Sequence, residues 1–221
     1  MTDDRIAALF DIDGTLVDSN YLHVEAWQHA FQTLGEDVEA WRVHRAIGQD
    51  SSLLISSLVG DREESWVERA TELHGKNYTA LAPRLRAFDR TRHLLRTLSD
   101  RGVVVVLATS ASPDELDILL RVIDADDAID ATTNAEDVDA AKPKPDIVEV
   151  ALERAGVDAS RAVFIGDSVW DMKAAERAGV SPFGVLSGGI AESLLTEAGA
   201  RIAFENPADL LARLDEIDLF R

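Results

Sequence analysis

The chain opens on an apolar run, Ile6 to Phe10, that stops at the polar stretch DIDGT. Similar runs recur as VVVVLA from Val103, AVFIG from Ala162 and SPFGVL from Ser181, with shorter ones near AIDATT and RIAF. Continuous apolar runs that do not alternate with polar residues predict strands covered on both faces, as in a parallel sheet. Between them the period changes. DRTRHLLRTLSDRG, SPDELDILLRVI, PDIVEVALERAG and VWDMKAAERAG repeat apolar residues at helical spacing. Gly102, Gly156 and Gly179 follow successive helices, where a left-handed residue ends the last turn. Strands alternating with helices predict an α/β chain with a parallel sheet wrapped on both faces.

One segment breaks this alternation. From about Asp18 to Pro83 the spacing is helical throughout, as in Leu22, Ala26, Ala30 and Leu34 at steps of four, with no convincing strand. If RIAALF is the first strand of the sheet, residues 18–84 are a helical insert, and residues 1–17 and 85–221 form the core. The insert is expected to act as a cap over the sheet's edge. A length of 221 residues with 46% hydrophobic content suits one core domain carrying a smaller insert.

Composition removes several functions. The chain has no cysteine, which excludes disulfides, thiolate metal sites and a cysteine nucleophile. The start, MTDDR, is acidic where a secretory leader is basic, and no apolar run is long enough to span a bilayer, so a soluble cytoplasmic protein is expected. A formal charge of −19 argues against nucleic acid and against an anionic membrane as partner. A small anionic substrate remains compatible if cations are concentrated at its site.

Open α/β sheets bind ligands beyond the carboxyl ends of their strands. Asp11 follows the first strand, Thr109 and Ser110 follow VVVVLA, Asp167 follows AVFIG, and Lys142 precedes the helix that starts near Pro145. Asp11 and Asp13, two positions apart on an extended segment, point to the same side with roughly 7 Å between their α carbons. Such a pair repels unless a cation is near or one carboxyl keeps its proton. Magnesium suits the setting, because it prefers oxygen ligands and is held by a few carboxylates together with substrate phosphate. Gly14 permits a sharp turn, whose backbone N–H groups can hold phosphate oxygens. Lys142 adds a point positive charge and Thr109 a hydroxyl donor. Together they resemble a phosphoryl-transfer site.

Plainer readings exist for each residue. D-x-D-G can begin a calcium loop, but counted from Asp11 the sixth position is Leu16 and the twelfth Leu22, where that loop needs glycine and glutamate. Thr109 could cap a turn in TSASPDEL, Lys142 could be a linker lysine in AAKPKPD, and Asp167 and Asp171 could be an N-cap and a first-turn acid. Their joint placement at one edge of the sheet favours a site.

Four motifs in order, DIDGTLVDS, Thr109 in VLATS, KPKP and GDSVWD, resemble those of the haloacid dehalogenase superfamily, in the branch related to beta-phosphoglucomutase and phosphoglycolate phosphatase. With the tail AAERAGVSPFGVLSGG the resemblance covers nearly the whole chain. It implies a Rossmann-like doubly wound core with an inserted α-helical cap. It further implies Asp11 as a nucleophile forming an aspartyl phosphate and Asp13 as general acid and base. Magnesium would be held by Asp11, by Asp13 through its backbone carbonyl, and by Asp167, with Asp171 supporting; Thr109, Ser110, Lys142 and Gly14 would bind the phosphoryl group.

Departures from the pattern are small. Ala141 stands where glycine or serine often precedes the lysine, and AFDRT replaces a Pro-Gly junction, with Asp89 expected to cap the next helix. His23 matches the cap histidine that assists proton handling in beta-phosphoglucomutase. In IGQDSS, Ser51 occupies the position of an arginine that grips the second phosphate in the mutase. Losing that clamp costs a mutase more than a hydrolase. The expected function is therefore a magnesium-dependent phosphatase acting on a small phosphorylated metabolite. A sugar phosphomutase and a non-catalytic metabolite-binding protein on the same fold are the alternatives.

Overall fold

The computed structural model describes residues 5–137, 142 and 144–221; Ala141 and Pro143 of the lysine motif lie outside the described residues. In chain order the elements are β1 (Ala7–Phe10), α1 (Asn20–Thr33), α2 (Ala40–Ala46), α3 (Ser51–Val59), α4 (Glu64–Leu81), α5 (Thr91–Asp100) and β2 (Val104–Leu107). They continue as α6 (Pro113–Ile123), β3 (Ala131–Thr132), α7 (Asp146–Ala155), β4 (Ala162–Gly166), α8 (Val169–Arg177), β5 (Ser181–Val185), α9 (Glu192–Glu197), β6 (Ala203–Phe204) and α10 (Pro207–Ala212). They fall into two compact units, one of Met1–Asp18 with Arg86–Arg221 and one of Ser19–Leu85.

The first unit is built on a six-stranded sheet in the order β3-β2-β1-β4-β5-β6, every pairing parallel. This is a Rossmann-like doubly wound α/β arrangement, and its strand order reverses between β1 and β4, which is where such sheets open a ligand crevice. Side-chain alternation explains the core. Ala7, Leu9, Val106, Ala162 and Phe164 form one fully buried cluster with Ile147, Val148 and Ala151 of α7 and Ala174 and Ala175 of α8. The opposite positions Ala8, Phe10, Val105 and Leu107 are buried as well, and α5 packs on β2. Both faces exclude water, which accounts for the unbroken apolar runs in the sequence.

Where the chain leaves and re-enters this unit, the two segments are tied together. The Asp18 N–H donates to Arg86 O at 2.8 Å, Val17 and Ala87 form an antiparallel bridge, and the Phe88 N–H donates to Leu16 O at 3.0 Å. The expected cap at Asp89 is not what starts α5. Arg90 holds the N-cap position in a left-handed conformation at φ 64°, with no side-chain cap bond, while the Thr91 hydroxyl donates to Leu16 O at 3.0 Å. The turn closes on the β1 loop, so tertiary hydrogen bonds replace a local cap.

The Ser19–Leu85 unit holds four helices. Its core gathers Trp27, Phe31, Val43, Leu54, Ile55 and Ala70. The buried face of α1 is wider than a stripe at steps of four. It includes Val24, Trp27 and Phe31, whereas Leu34 is only partly buried. Asp50 caps α3 by accepting the Leu53 N–H at 2.9 Å. Among the described residues no helix is long and apolar enough to cross a membrane.

Candidate active site

β1 carries Asp11 to the point where the strand order reverses, and the backbone holds it there: the Asp11 N–H donates to Ile165 O of β4 at 2.9 Å. The chain then folds back sharply. The N–H groups of Thr15, Leu16 and Val17 converge on the Ile12 carbonyl at 3.2, 2.8 and 3.0 Å, and Gly14 takes φ 74°, a region open to glycine without steric cost. The Gly14 N–H donates to Val17 O at 2.9 Å, so that group shapes the turn. Asp13 lies half-buried in this turn and bridges to Val17.

β4 ends beside β1 and delivers Asp167, which accepts from the Thr15 hydroxyl at 3.3 Å. One turn further, Asp171 forms a capping box with Ser168: the Ser168 N–H and hydroxyl donate to Asp171 Oδ2 at 3.0 and 2.7 Å, and the Asp171 N–H donates to Ser168 Oγ at 3.2 Å. The first-turn acid is therefore real, with Ser168 rather than Asp167 as the N-cap. Asp171 also has a second partner. Its Oδ1 lies 2.7 Å from Lys142 Nζ, which donates at 2.5 Å to Asp11 Oδ1.

Asp11, Asp167 and Asp171 each offer an oxygen within 4.8 Å of the others, and all three side chains are buried. Lys142 is 2% exposed, so its charge is compensated by these carboxylates and not by water. Three carboxylates share this buried place with one lysine among the described residues, so acidic groups outnumber the cation where water does not screen them. A hard divalent cation matches both the charge and the all-oxygen donor set.

Burial pushes the Asp11 carboxyl up to about 7; Lys142 opposes the shift, and Asp171 and Asp13 add to it. For Lys142 burial alone would favour the neutral amine, but the carboxylates of Asp11 and Asp171 outweigh it and hold the ammonium above the ordinary lysine value. An unfolded aspartate titrates near about 3.9. Between about pH 4 and 7 the metal-free folded chain thus keeps a proton on Asp11 that the unfolded chain has released. The associated stability is fully present below about pH 4, falls as pH rises and is lost above about 7. In metal-free buffer, the melting temperature of the wild type relative to Asp11→Asn is expected to fall from pH 5 to pH 8. A difference that stays level across that range would contradict the raised titration.

Thr109 is buried after β2, where its hydroxyl accepts the Ala111 N–H at 3.0 Å and its carbonyl accepts from the Thr133 hydroxyl at 3.0 Å. Ser110 follows it and is half-buried. His23 belongs to the Ser19–Leu85 unit. There its Nδ1 lies 3.1 Å from Nε2 of His74, and its ring stacks on Tyr78 at 3.9 Å between centroids, while His74 stacks on Trp27 at 4.3 Å. The short N···N separation requires one imidazole to donate and the other to accept.

A match to the family model described as "Hydrolase: haloacid dehalogenase-like hydrolase" runs over residues 7–179, a span that includes every one of these acidic groups. The chain belongs to the haloacid dehalogenase-like hydrolase family. It is 29% identical over 192 residues to Pyrophosphatase PpaX of Bacillus velezensis, covering 84% of this chain and 85% of that one. To the Phosphorylated carbohydrates phosphatase of Thermotoga maritima it is 28% identical over 217 residues, covering 96% and 99%. A crystal structure of a hydrolase from Pseudomonas syringae superimposes with a TM-score of 0.92 at 35% identity, covering 96% of this chain and 99% of that one. Two residues inside the motifs, given no part by the sequence reading, touch the acidic groups. Thr15 holds Asp167, and Ser168 holds Asp171. The S-x-x-D spacing of Ser168 and Asp171 is a readable capping signal, whereas Thr15 belongs to DIDGTLVDS but its partner lies 152 residues away and cannot be read locally.

Proposed function

We propose that the chain is a magnesium-dependent phosphatase of small phosphorylated metabolites. The observation that carries this reading is the buried group of Asp11, Asp167 and Asp171 with a single compensating lysine, at the reversal point of the sheet. Relatives named for pyrophosphate and for phosphorylated carbohydrates fit the same substrate class. Asp11, Asp167 and the Asp13 backbone carbonyl would hold magnesium. When bound, the ion supplies positive charge that offsets repulsion between a carboxylate and a phosphate dianion.

The chain's own groups account for the rest. An Asp11 oxygen attacks phosphorus, the bond from phosphorus to the leaving oxygen breaks, and Asp13 gives its proton to that oxygen. Asp13 then takes a proton from water, the water oxygen attacks the aspartyl phosphate, and phosphate leaves as the Asp11 carboxylate is restored. Lys142, held protonated by Asp11 and Asp171, attracts the phosphoryl oxygens; Thr109 and Ser110 border them. Both oxygens of Asp171 are engaged, by Ser168 and by Lys142, so its part is to hold Lys142 in place. The Ser19–Leu85 unit serves as the cap, and the His23–His74 pair is a proton-handling candidate within it.

The test is a phosphate-release screen over sugar phosphates, phosphoglycolate, pyrophosphate and nucleotides, with and without magnesium. Magnesium-dependent release from at least one class is expected, and release that ignores magnesium would remove the reading. Bisphosphate-dependent isomerisation of a hexose phosphate without release would favour the mutase, against which Ser51 in the arginine position argues. Asp13→Asn is expected to slow release by a factor on the order of hundreds or more; an unchanged rate would assign proton transfer elsewhere.

A further inference from the structure

Two glycines end the turn after β5, and they are glycine for different reasons. Gly189 takes φ 87°, where a side chain is strained whatever the space around it. Gly188 is not among the positive-φ residues, so its backbone would accept alanine. Space is what forbids a side chain there. A Cβ on Gly188 would fall 2.7 Å from the Cβ of Asp167 and closer still to its Cγ and Oδ2. No real side chain makes such contacts, so the Asp167 carboxylate occupies the volume that a residue at 188 would otherwise fill.

The same turn reaches the loop that carries Asp11 and Asp13. The Ser187 hydroxyl donates to Gly14 O at 2.8 Å, across 173 residues of chain. On its other side, Asp167 Oδ1 accepts from Thr15. The register explains the proximity: Ile165 pairs with Phe183 and Gly166 with Gly184, so the chain emerging from β5 runs beside the chain emerging from β4. Three loops, after β1, β4 and β5, are thereby locked to one another around one carboxylate.

We infer that Gly188 is a positioning residue for Asp167, and that the Leu186–Gly188 turn fixes this carboxylate in the orientation from which it would hold the cation. The inference deepens the phosphatase reading and rests on it for the identity of the ion. A group that orients a metal ligand typically changes metal affinity by about 10- to 100-fold when altered. Gly188→Ala is therefore expected to weaken magnesium binding, measured by titration calorimetry, by about that factor. The magnesium concentration that half-saturates phosphate release should rise in parallel.

Loss of affinity could also follow from a disturbed fold, so melting temperatures in EDTA are compared for the wild type, Gly188→Ala, Asp167→Gly and the double variant. If the two residues compete for one volume, the decrease caused by Gly188→Ala becomes smaller when Asp167 is already glycine. Equal decreases in both backgrounds overturn the inference. So does a Gly188→Ala protein that binds magnesium as tightly as the wild type. If the wild type itself binds no magnesium, the phosphatase reading fails, while the melting comparison still decides whether Gly188 positions Asp167.

Discussion

Replacing Asp11 by asparagine is expected to lower magnesium-dependent phosphate release by on the order of 10⁴-fold or more, because the carboxylate proposed as nucleophile becomes a weakly nucleophilic amide while binding groups remain. The fold should survive. Asn has the same shape, its backbone N–H would still donate to Ile165 O, and Lys142 would keep Asp171 as partner. Stability should in fact increase in metal-free buffer at pH 8, since burial, with Asp171 and Asp13, outweighs the attraction of Lys142 and disfavours a charge at this position. The two readouts therefore move in opposite directions. Retained turnover in Asp11→Asn would displace the nucleophile from this residue, whatever the melting curve showed.

The second large effect is expected from Lys142→Met. The side chain is buried, near in volume to methionine, and rests over the Phe164 ring at 5.4 Å, so packing can be largely kept. Charge cannot. Removing one member of a buried ion pair typically destabilises by about 3–5 kcal/mol, because its partners are left uncompensated. Here the partners are Asp11 and Asp171. The loss should be greater at pH 8 than at pH 5, where Asp11 can take up a proton, and saturating magnesium should recover part of it. Turnover should drop by about 10²- to 10³-fold, the scale seen when one preorganised donor to a developing charge is removed. A Lys142→Met protein with wild-type turnover would take the lysine out of the phosphoryl site.

The strands were legible because a sheet covered on both faces demands unbroken apolar runs, and β1, β2, β4 and β5 supply them. Strand ends were less legible. The third and sixth runs shrink to Ala131–Thr132 and Ala203–Phe204, since edge strands pair along only part of their length. Asp11, Lys142 and Asp167 stood out because each follows or precedes a predicted element at the same sheet edge, and Asp171 because it sits in the first turn of the next helix; Lys142 pairs with Asp11 and Asp171, and Asp167 lies within 4.8 Å of both carboxylates. What the sequence concealed were contacts made across long stretches of chain by ordinary residues. Thr15 on Asp167, Ser187 on Gly14 and His74 on His23 follow no period, and the motif that contains Thr15 and Gly14 does not say what either residue touches. Asp89 misled for a related reason: an acidic residue before a helix suggests a cap, but the turn was already anchored to the β1 loop.

The tie between Asp18 and Arg86 bears on how such a protein can diversify. Because the chain leaves and returns through paired segments, with Val17 bridged to Ala87, the region between them is bounded like a cassette. A segment of another length or sequence with closely spaced ends is expected to be accommodated there, since the bonds at the junction join residues 16–18 to 86–88 and none of them is made by the segment itself. If the proposed division between cap and catalytic unit holds, a change of substrate need not touch the stretches that carry Asp11, Lys142 and Asp167.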